Sequence, residues 1–308
     1  MPTLLYLFLK YIVSMPETAG RIPTVRNQDI CLRVRAKKNK AKPIKIKLEG
    51  GRRTELAFLA AASLYSLIIP VTRRLALYDS VVLLALFGLY LWRAATGEQS
   101  EPDLVGVARR VGEMPPRLRR LTVAGMFVAA TVIVLLAAEP FAQALVSGGR
   151  QLGIDEFLLV QWFAPLASES PELLVAAVLA LRGHQDASLG TLLSSKVNQW
   201  TLLVGSLPVA YAIGGGAAGG IVLDARQTEE FILTAAQTLL GLAVLIDLRF
   251  ALWEALALFA LFAVQFPFPQ TSVRLALAAG YVAIAVVLLV RRRAEIPKIA
   301  SAALGGRQ

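Results

Sequence analysis

The sequence contains almost no cysteine or histidine. Cys31 and His184 are the single representatives of their residue types among 308 residues. These counts exclude an intramolecular disulfide, a cysteine-ligated or histidine-rich metal site and Cys–His catalysis. His184 lies in the polar turn RGHQD, which favours an exposed loop residue. Paired aspartates on two apolar runs are also missing, so an intramembrane hydrolase is the weakest functional class, and we predict that the chain is not an enzyme.

Acidic residues are scarce relative to basic ones, with 21 Asp and Glu against 32 Lys and Arg and a net charge of +11. The basic residues concentrate in three segments, near residues 33–47, 108–120 and 291–293. These segments fall on one side if each apolar run crosses a membrane once, and this is the positive-inside pattern. We therefore expect both termini to be cytoplasmic at a cell membrane. Because the basic tail lacks interleaved aromatic residues, we expect lipid headgroups and not nucleic acid as its partner.

Apolar residues are abundant, at 56% of the chain. This exceeds the roughly 45–50% of a soluble domain. Runs of about 20 apolar residues can span a bilayer. Eight such runs lie near residues 55–71, 77–95, 121–148, 156–181, 188–213, 229–247, 250–266 and 272–290. The sequence therefore predicts an all-α polytopic membrane protein with about eight transmembrane helices.

The chain also contains an internal repeat. Residues 55–87 align without gaps with residues 230–262, at an offset of 175. Charged positions match as well as apolar ones: Glu55 with Glu230, Arg74 with Arg249, and Asp79 with Glu254. In the predicted topology the two segments start on opposite sides of the membrane. Such inverted repeats are typical of secondary transporters, whose sites form near the midplane between the repeats.

The offset also indicates how the chain is organised. The counterpart of SPE at residues 170–172 would precede residue 1, so we expect the first repeat to lack its first three helices. The predicted segments are a basic cytoplasmic N-terminal tail (1–53), the last two helices of the first repeat (54–95), a basic cytoplasmic loop (96–120), the second repeat (121–266), and an extra C-terminal helix with a basic tail (267–308).

One apolar run, 156–181, is predicted to break in its middle. Pro165 and Pro171 lie six residues apart within it, and proline removes a backbone donor. Ser170 is suited to the N-cap of a new half-helix, with Pro171 at its first position. Glu172 then lies in the first turn, where the positive end of the helix dipole favours a carboxylate.

Two polar stripes carry the candidate site. A charged residue at the centre of a span costs about 2.5–3.5 kcal/mol, so such residues are seldom incidental. Each stripe has the spacing i, i+1, i+4, and the members are Ser168, Glu169 and Glu172, and Ser195, Lys196 and Gln199. Hydroxyl, carboxylate and amide oxygens are hard ligands that Na⁺ or Ca²⁺ prefers. The sequence therefore predicts a cation site.

Alternatives remain open for several of these residues. Glu169 and Lys196 could instead form a buried ion pair that fixes helix packing. Glu139, beside Pro140, is either a further pathway carboxylate or a residue at the outer end of a helix. Trp200 is expected to be a packing residue or an aromatic residue of the membrane-interface belt, and not a cation ligand.

The stretch ASESPELLVAAVLALRGHQDASLGTLLSSKVNQW resembles the second α-repeat of the sodium/calcium exchanger superfamily. The pattern of that superfamily reads G-T-S-x-P-E and, after a short linker, G-S-N-x-F-N. The resemblance implies ten helices in two inverted five-helix repeats that exchange Ca²⁺ or other cations for Na⁺ or H⁺, without a cofactor. It also implies that Glu172, Ser168 and Ser195 bind the transported cation, with Lys196 in place of an asparagine and Gln199 in place of a final Asn or Asp.

Two departures from the pattern bear on function. Glu169 stands where the family has serine, and the Lys196 ammonium could fill one cation subsite, which favours fewer bound ions. The leading hypothesis is a cation antiporter that uses alternating access. The alternative is a non-transporting truncated remnant, or a subunit that a second copy or another partner completes with the missing helices.

Overall fold

The computed structural model describes residues 45–96, 107–153, 169–217, 219–265, 268 and 270–304. They form two compact units, one drawn from Met1–Gly97 and Leu174–Gln308 and the other from Glu98–Leu173. In chain order the elements are β1 (Lys45–Lys47), α1 (Arg52–Ser66), α2 (Ile69–Thr72), β2 (Arg74–Leu75), α3 (Leu77–Thr96), α4 (Val107–Gly112), α5 (Pro116–Gln151), α6 (Ser170–Leu181), α7 (Gln185–Asn198), a π-helix (Gln199–Leu203), α8 (Val204–Ile213), β3 (Ile221–Val222), α9 (Ala225–Leu245), β4 (Arg249–Ala251), α10 (Leu252–Val264), α11 (Thr271–Arg291), a 3₁₀ turn (Arg293–Glu295) and α12 (Ile296–Leu304).

The helices confirm the predicted class of an all-α, multi-pass membrane protein. Within the described ranges, five helical segments are long and apolar enough to cross a membrane: Arg52–Thr72, Leu77–Thr96, Pro116–Gln151, Ala225–Leu245 and Thr271–Arg291. Helices α6 and α10 are apolar but shorter. The predicted run at 188–213 is α7, the π-helix and α8 in direct succession.

The core of the first unit lies between helices that are distant in the chain. Leu56 and Phe58 of α1 are buried with Val197 of α7, Trp200 of the π-helix and Ala235 of α9. Phe58 also meets the Tyr90 ring of α3 edge-on, at 5.7 Å between ring centroids. Helix α1, from the first repeat, therefore packs directly against the second repeat.

Two short strand pairs show the internal repeat in the backbone. β1 pairs antiparallel with β4, with Lys47 opposite Arg249. β2 pairs antiparallel with β3, with Arg74 opposite Val222. At the offset of 175, Arg74 corresponds to Arg249 and Lys47 corresponds to Val222. Each repeat therefore supplies one strand to each pair. This reciprocal exchange is what a two-fold relation between the repeats requires.

The backbone corner beside each strand pair is also built twice. Arg73 (φ 49°) and Leu248 (φ 56°) have positive φ and occupy equivalent repeat positions. Positive φ is uncommon outside glycine. The Arg73 carbonyl accepts from the Leu223 N–H (3.0 Å), and the Leu248 carbonyl accepts from the Leu48 N–H (2.8 Å). The structural repeat therefore extends to residues 46–48, upstream of the sequence alignment. The predicted lack of three earlier helices concerns residues outside the described ranges.

The matched acidic residues of the repeat have the same structural role. Asp79 Oδ2 accepts a hydrogen bond from the Ala76 N–H (2.7 Å), and Glu254 Oε2 accepts one from the Ala251 N–H (2.8 Å). Each carboxylate thereby satisfies a backbone donor at the start of a helix, which helix ends otherwise leave without a partner. These two acidic residues serve the fold of the repeat.

Helix α11, which the sequence predicts as an extra C-terminal helix, packs along α9. The contact buries alanines at a spacing of seven residues on both helices, Ala236 and Ala243 facing Ala278 and Ala285. Small residues let membrane helices approach closely. Just past the end of α11, Arg292 donates to the Glu254 carboxylate (2.9 Å) and to the Ala243 carbonyl (3.2 Å). Arg292 thus fastens α11 to α9 and α10.

Candidate functional site

Helix α6 begins where the proline pattern predicted a new half-helix. Its first residue is Ser170, and Glu172 lies in its first turn. Glu169 immediately precedes the helix and is exposed, and its carbonyl accepts from the Leu173 N–H (3.1 Å). The predicted helix start is confirmed to within one residue. Ser168 lies outside the described residues.

The Glu172 carboxylate has an unusual environment. Its Oε2 atom is buried and makes no hydrogen bond to any residue that the structure describes. A buried carboxylate oxygen without a donor costs a large part of its desolvation free energy. A cation beside this oxygen would offset that cost. Glu172 is therefore the strongest candidate ligand among the described residues.

The second polar stripe lies on α7 and the residue that follows it. Ser195 and Lys196 are half-buried in the last turn of α7, and Gln199 opens the π-helix. The Lys196 Nζ donates to Gln199 Oε1 at 2.8 Å. The structure thus brings Lys196 and Gln199 together, as one stripe requires. The amide oxygen that could face a cation holds an ammonium group here.

The π-helix was not predicted. The hydrogen bonds of α7 give way to a wider turn at Gln199, and Trp200 and Thr201 are buried in it. The Thr201 hydroxyl donates to the Val197 carbonyl (2.6 Å). π-turns are rare and are found frequently at functional sites. The expected packing role of Trp200 is confirmed by its burial.

Sequence reasoning also missed a contact from the first repeat. The Tyr90 hydroxyl of α3 donates to the Ser194 Oγ at 3.1 Å, next to Ser195. No pattern in the sequence links these residues, because they are 104 positions apart. Tyr90 therefore connects the end of the first repeat to the helix that carries the second stripe.

The start of α7 is held against α1 by charge. Asp186 accepts from the Arg52 guanidinium (2.7 and 3.0 Å) and from the Glu49 N–H (2.8 Å). The guanidinium lies across Gly190, where an added Cβ would be 2.4 Å from the Arg52 Cζ. Gly190 thus leaves the space that the ion pair occupies.

We expect Gly190→Ala to displace the Arg52 side chain and break its bonds to Asp186. Charged hydrogen bonds of this kind contribute about 1.5–3 kcal/mol. The melting temperature of the detergent-solubilised protein should fall by several degrees, at about 2–4 °C per kcal/mol. In an Arg52→Ala background the same glycine substitution should have no further effect. If the two substitutions lower the melting temperature additively in the double variant, Gly190→Ala does not act through Arg52.

The two stripes belong to different compact units. Glu169 and Glu172 lie in the unit Glu98–Leu173, and Ser195, Lys196 and Gln199 lie in the other. The pairing of Lys196 with either glutamate stays a prediction. Glu139 is exposed on α5 and accepts from the Gln143 side chain one turn later (3.2 Å).

The comparisons with known proteins agree with one another. Residues 122–268 match the family model described as sodium/calcium exchanger protein. A relative from Alkalimonas amylolytica, named "Putative antiporter CaxA", is 28% identical over 128 residues, which are 41% of this chain and 38% of that protein. A crystal structure of an H⁺/Ca²⁺ exchanger, CAX, is 40% identical in sequence and superimposes with a TM-score of 0.80.

The CAX match covers 84% of this chain and 66% of the exchanger's chain. The chain therefore spans less than two thirds of the length of both relatives. The matched family range coincides with the second repeat, where the two polar stripes lie. These matches and the inverted repeat in the backbone lead to one assignment: the chain belongs to the sodium/calcium exchanger superfamily.

Proposed function

We propose that the protein is a cation antiporter that exchanges Ca²⁺ or Na⁺ against Na⁺ or H⁺ by alternating access. The observation that carries the proposal is the Glu172 Oε2 atom, which is buried at the start of a half-helix without a donor among the described residues. The CAX relative, named as an H⁺/Ca²⁺ exchanger, favours Ca²⁺ and H⁺ as the first pair to test.

The proposed ligand set uses oxygen atoms. Glu172 supplies the charge, and Ser168 and Ser195 supply hydroxyl oxygens. Ca²⁺ takes oxygen ligands in flexible geometry, and Na⁺ is likewise a hard cation, so this chemistry suits both. Glu169 adds a second carboxylate at the exposed edge of α6. The alternative of a non-transporting protein is not favoured, because both relatives carry names of exchangers or antiporters.

Lys196 is proposed to reduce the number of cations that bind. Its ammonium already contacts Gln199 Oε1, at the distance of a charge-assisted hydrogen bond. A tethered positive charge at this oxygen repels a second cation. The exchanger would therefore carry fewer ions per cycle than one with neutral residues at these positions.

The ion pair can be identified with purified protein in liposomes. Ca²⁺ uptake should follow an imposed H⁺ or Na⁺ gradient, and the gradient that drives it names the counter-ion. Collapse of that gradient with an ionophore should stop uptake. An absence of gradient-driven flux for Ca²⁺ and for Na⁺ would contradict the proposed function.

We expect Lys196→Met to raise the number of cations moved per cycle, because the Gln199 oxygen becomes available. The measurement is the reversal potential of exchange, which reports stoichiometry, together with the Hill coefficient for the cation. Lys298→Met is a matched control, since this ammonium is half-exposed after α11 and pairs with Glu295 (2.8 Å). A reversal potential equal to that of the wild type would contradict the tethered-charge proposal.

Orientation and partners are part of the same proposal. Both termini would face the cytoplasm, because exposed arginines cluster at 109–120 and further basic residues lie at the end of α11, at 291–293. The exposed arginines of these segments would contact acidic lipid headgroups, namely Arg109, Arg110, Arg117, Arg119, Arg120, Arg291 and Arg293.

A further inference from the structure

The π-helix is held from the neighbouring helix α9 through one side chain. The Trp200 Nε1–H donates to the Thr238 Oγ1 at 3.1 Å. The indole also meets the Phe231 ring edge-on, with 6.1 Å between ring centroids. Trp200 is 5% exposed and Thr238 is 8% exposed, so water does not compete for this hydrogen bond. The indole is therefore fixed by both its apolar face and its N–H group.

Thr238 is arranged to accept this bond. Its own hydroxyl proton is donated to the Thr234 carbonyl one turn earlier (2.8 Å). The Oγ1 lone pairs then face the indole, and hydrogen bonds in such a chain polarise one another. The direction of the bond is thus set: α9 accepts and the π-helix donates.

Trp200 directly follows Gln199, whose amide oxygen meets the Lys196 ammonium. The Cα atoms of the two residues lie in one peptide plane, so a displacement of the π-turn moves both residues. π-turns are rare and occur mostly as single turns within α-helices. The indole bonded to Thr238 holds this turn against α9, and it limits where the neighbouring Gln199 oxygen can lie.

We propose that Trp200 and Thr238 are positioning residues that set the Gln199 amide oxygen, together with its Lys196 ammonium, for recognition of the transported cation. This inference rests on the proposed antiport function. Neither residue touches the cation. Both act through the geometry of the π-helix.

The test compares Thr238→Val with Thr238→Ser in proteoliposomes. Valine keeps the shape and removes the acceptor, which leaves the indole N–H buried and without its partner. We expect Thr238→Val to raise the KM for the cation at least about fivefold, on the scale of one lost buried hydrogen bond, with the maximal rate little changed. Thr238→Ser keeps the hydroxyl and should restore the KM. Trp200→Phe combined with Thr238→Val should be no worse than the more impaired single variant.

A second readout does not depend on transport. In a Cys31→Ser background, Gln199→Cys provides a single thiol for a methanethiosulfonate reagent. Adding Thr238→Val should change its labelling rate by at least about fivefold, and Thr238→Ser should not. A lower melting temperature with unchanged KM and unchanged labelling would overturn the proposal and leave a packing role only. If the wild type moves no cation, the antiport function fails, and the labelling rates alone decide the positioning role.

Discussion

Glu172→Gln is expected to abolish cation exchange and to leave the protein folded. Glutamine keeps the size of the side chain and one oxygen, but it removes the charge that a cation would meet. Two unit charges about 4 Å apart interact by about 4 kcal/mol at an effective dielectric constant of 20. That loss corresponds to about a thousandfold weaker binding. Gradient-driven flux in proteoliposomes and cation binding to the purified protein measure the two consequences.

The Glu172→Gln substitution should not destabilise the protein, although it abolishes exchange. The Oε2 atom of Glu172 is buried without a donor among the described residues, so its charge costs free energy in the unoccupied protein. The melting temperature of Glu172→Gln should therefore equal or exceed that of the wild type. Glu113→Gln is the control, because this carboxylate is exposed and pairs with Arg109 one turn away (2.8 Å). If the Glu172→Gln variant shows the same flux as the wild type, Glu172 does not bind the transported cation.

Arg274→Met should cause the largest loss of stability of any single substitution proposed here. Arg274 lies in the first turn of α11 between two carboxylates of α9 and is 8% exposed. Its Nε is 2.9 Å from Glu229 Oε1, an ion pair by distance whose N–H does not align for a hydrogen bond. Its Nη2 pairs with Glu230 Oε1. Without Arg274, the buried Glu229 carboxylate and the partly buried Glu230 carboxylate both lose this cation.

Removing one partner of a buried ion pair costs about 3–5 kcal/mol. The melting temperature should fall on the order of 10 °C for a chain of this size. Arg274→Met combined with Glu229→Gln and Glu230→Gln should recover most of that loss, because no buried charge is left unpaired. Arg109→Met breaks an exposed pair and should change stability by less than about 1 kcal/mol. Equal effects of the two arginine substitutions would show that the triad formed by Arg274, Glu229 and Glu230 is not a stabilising contact.

The triad also gives α11 a place in the fold. Arg274 joins the start of α11 to α9, and Arg292 joins its other end to α9 and α10. The alanine contact between these two ends brings the helices close together. The sequence by itself predicts α11 only as an extra apolar helix near the C-terminus. Arg274 and Arg292 show that α11 is an integral part of the packing around α9 and α10.

Several features of this protein followed from the sequence by itself. The apolar runs predicted the helices, because a bilayer demands a length of about 20 apolar residues wherever the chain crosses it. Pro171 and Ser170 predicted the start of α6 to within one residue, because helix initiation depends on neighbouring residues. The charged matches at an offset of 175 predicted the repeat, and the two strand pairs join residues that are related by the same offset.

Other features were decided by tertiary structure alone. Asp186 meets Arg52 across 134 positions, and Tyr90 meets Ser194 across 104. The strands β2 and β3 have two residues each, too few for any alternation to be read. The π-helix depends on Trp200 finding Thr238 on another helix. Periodicity and proline positions report interactions within a few residues, whereas these contacts arise only when distant segments pack together, and so they could be identified only in the folded chain.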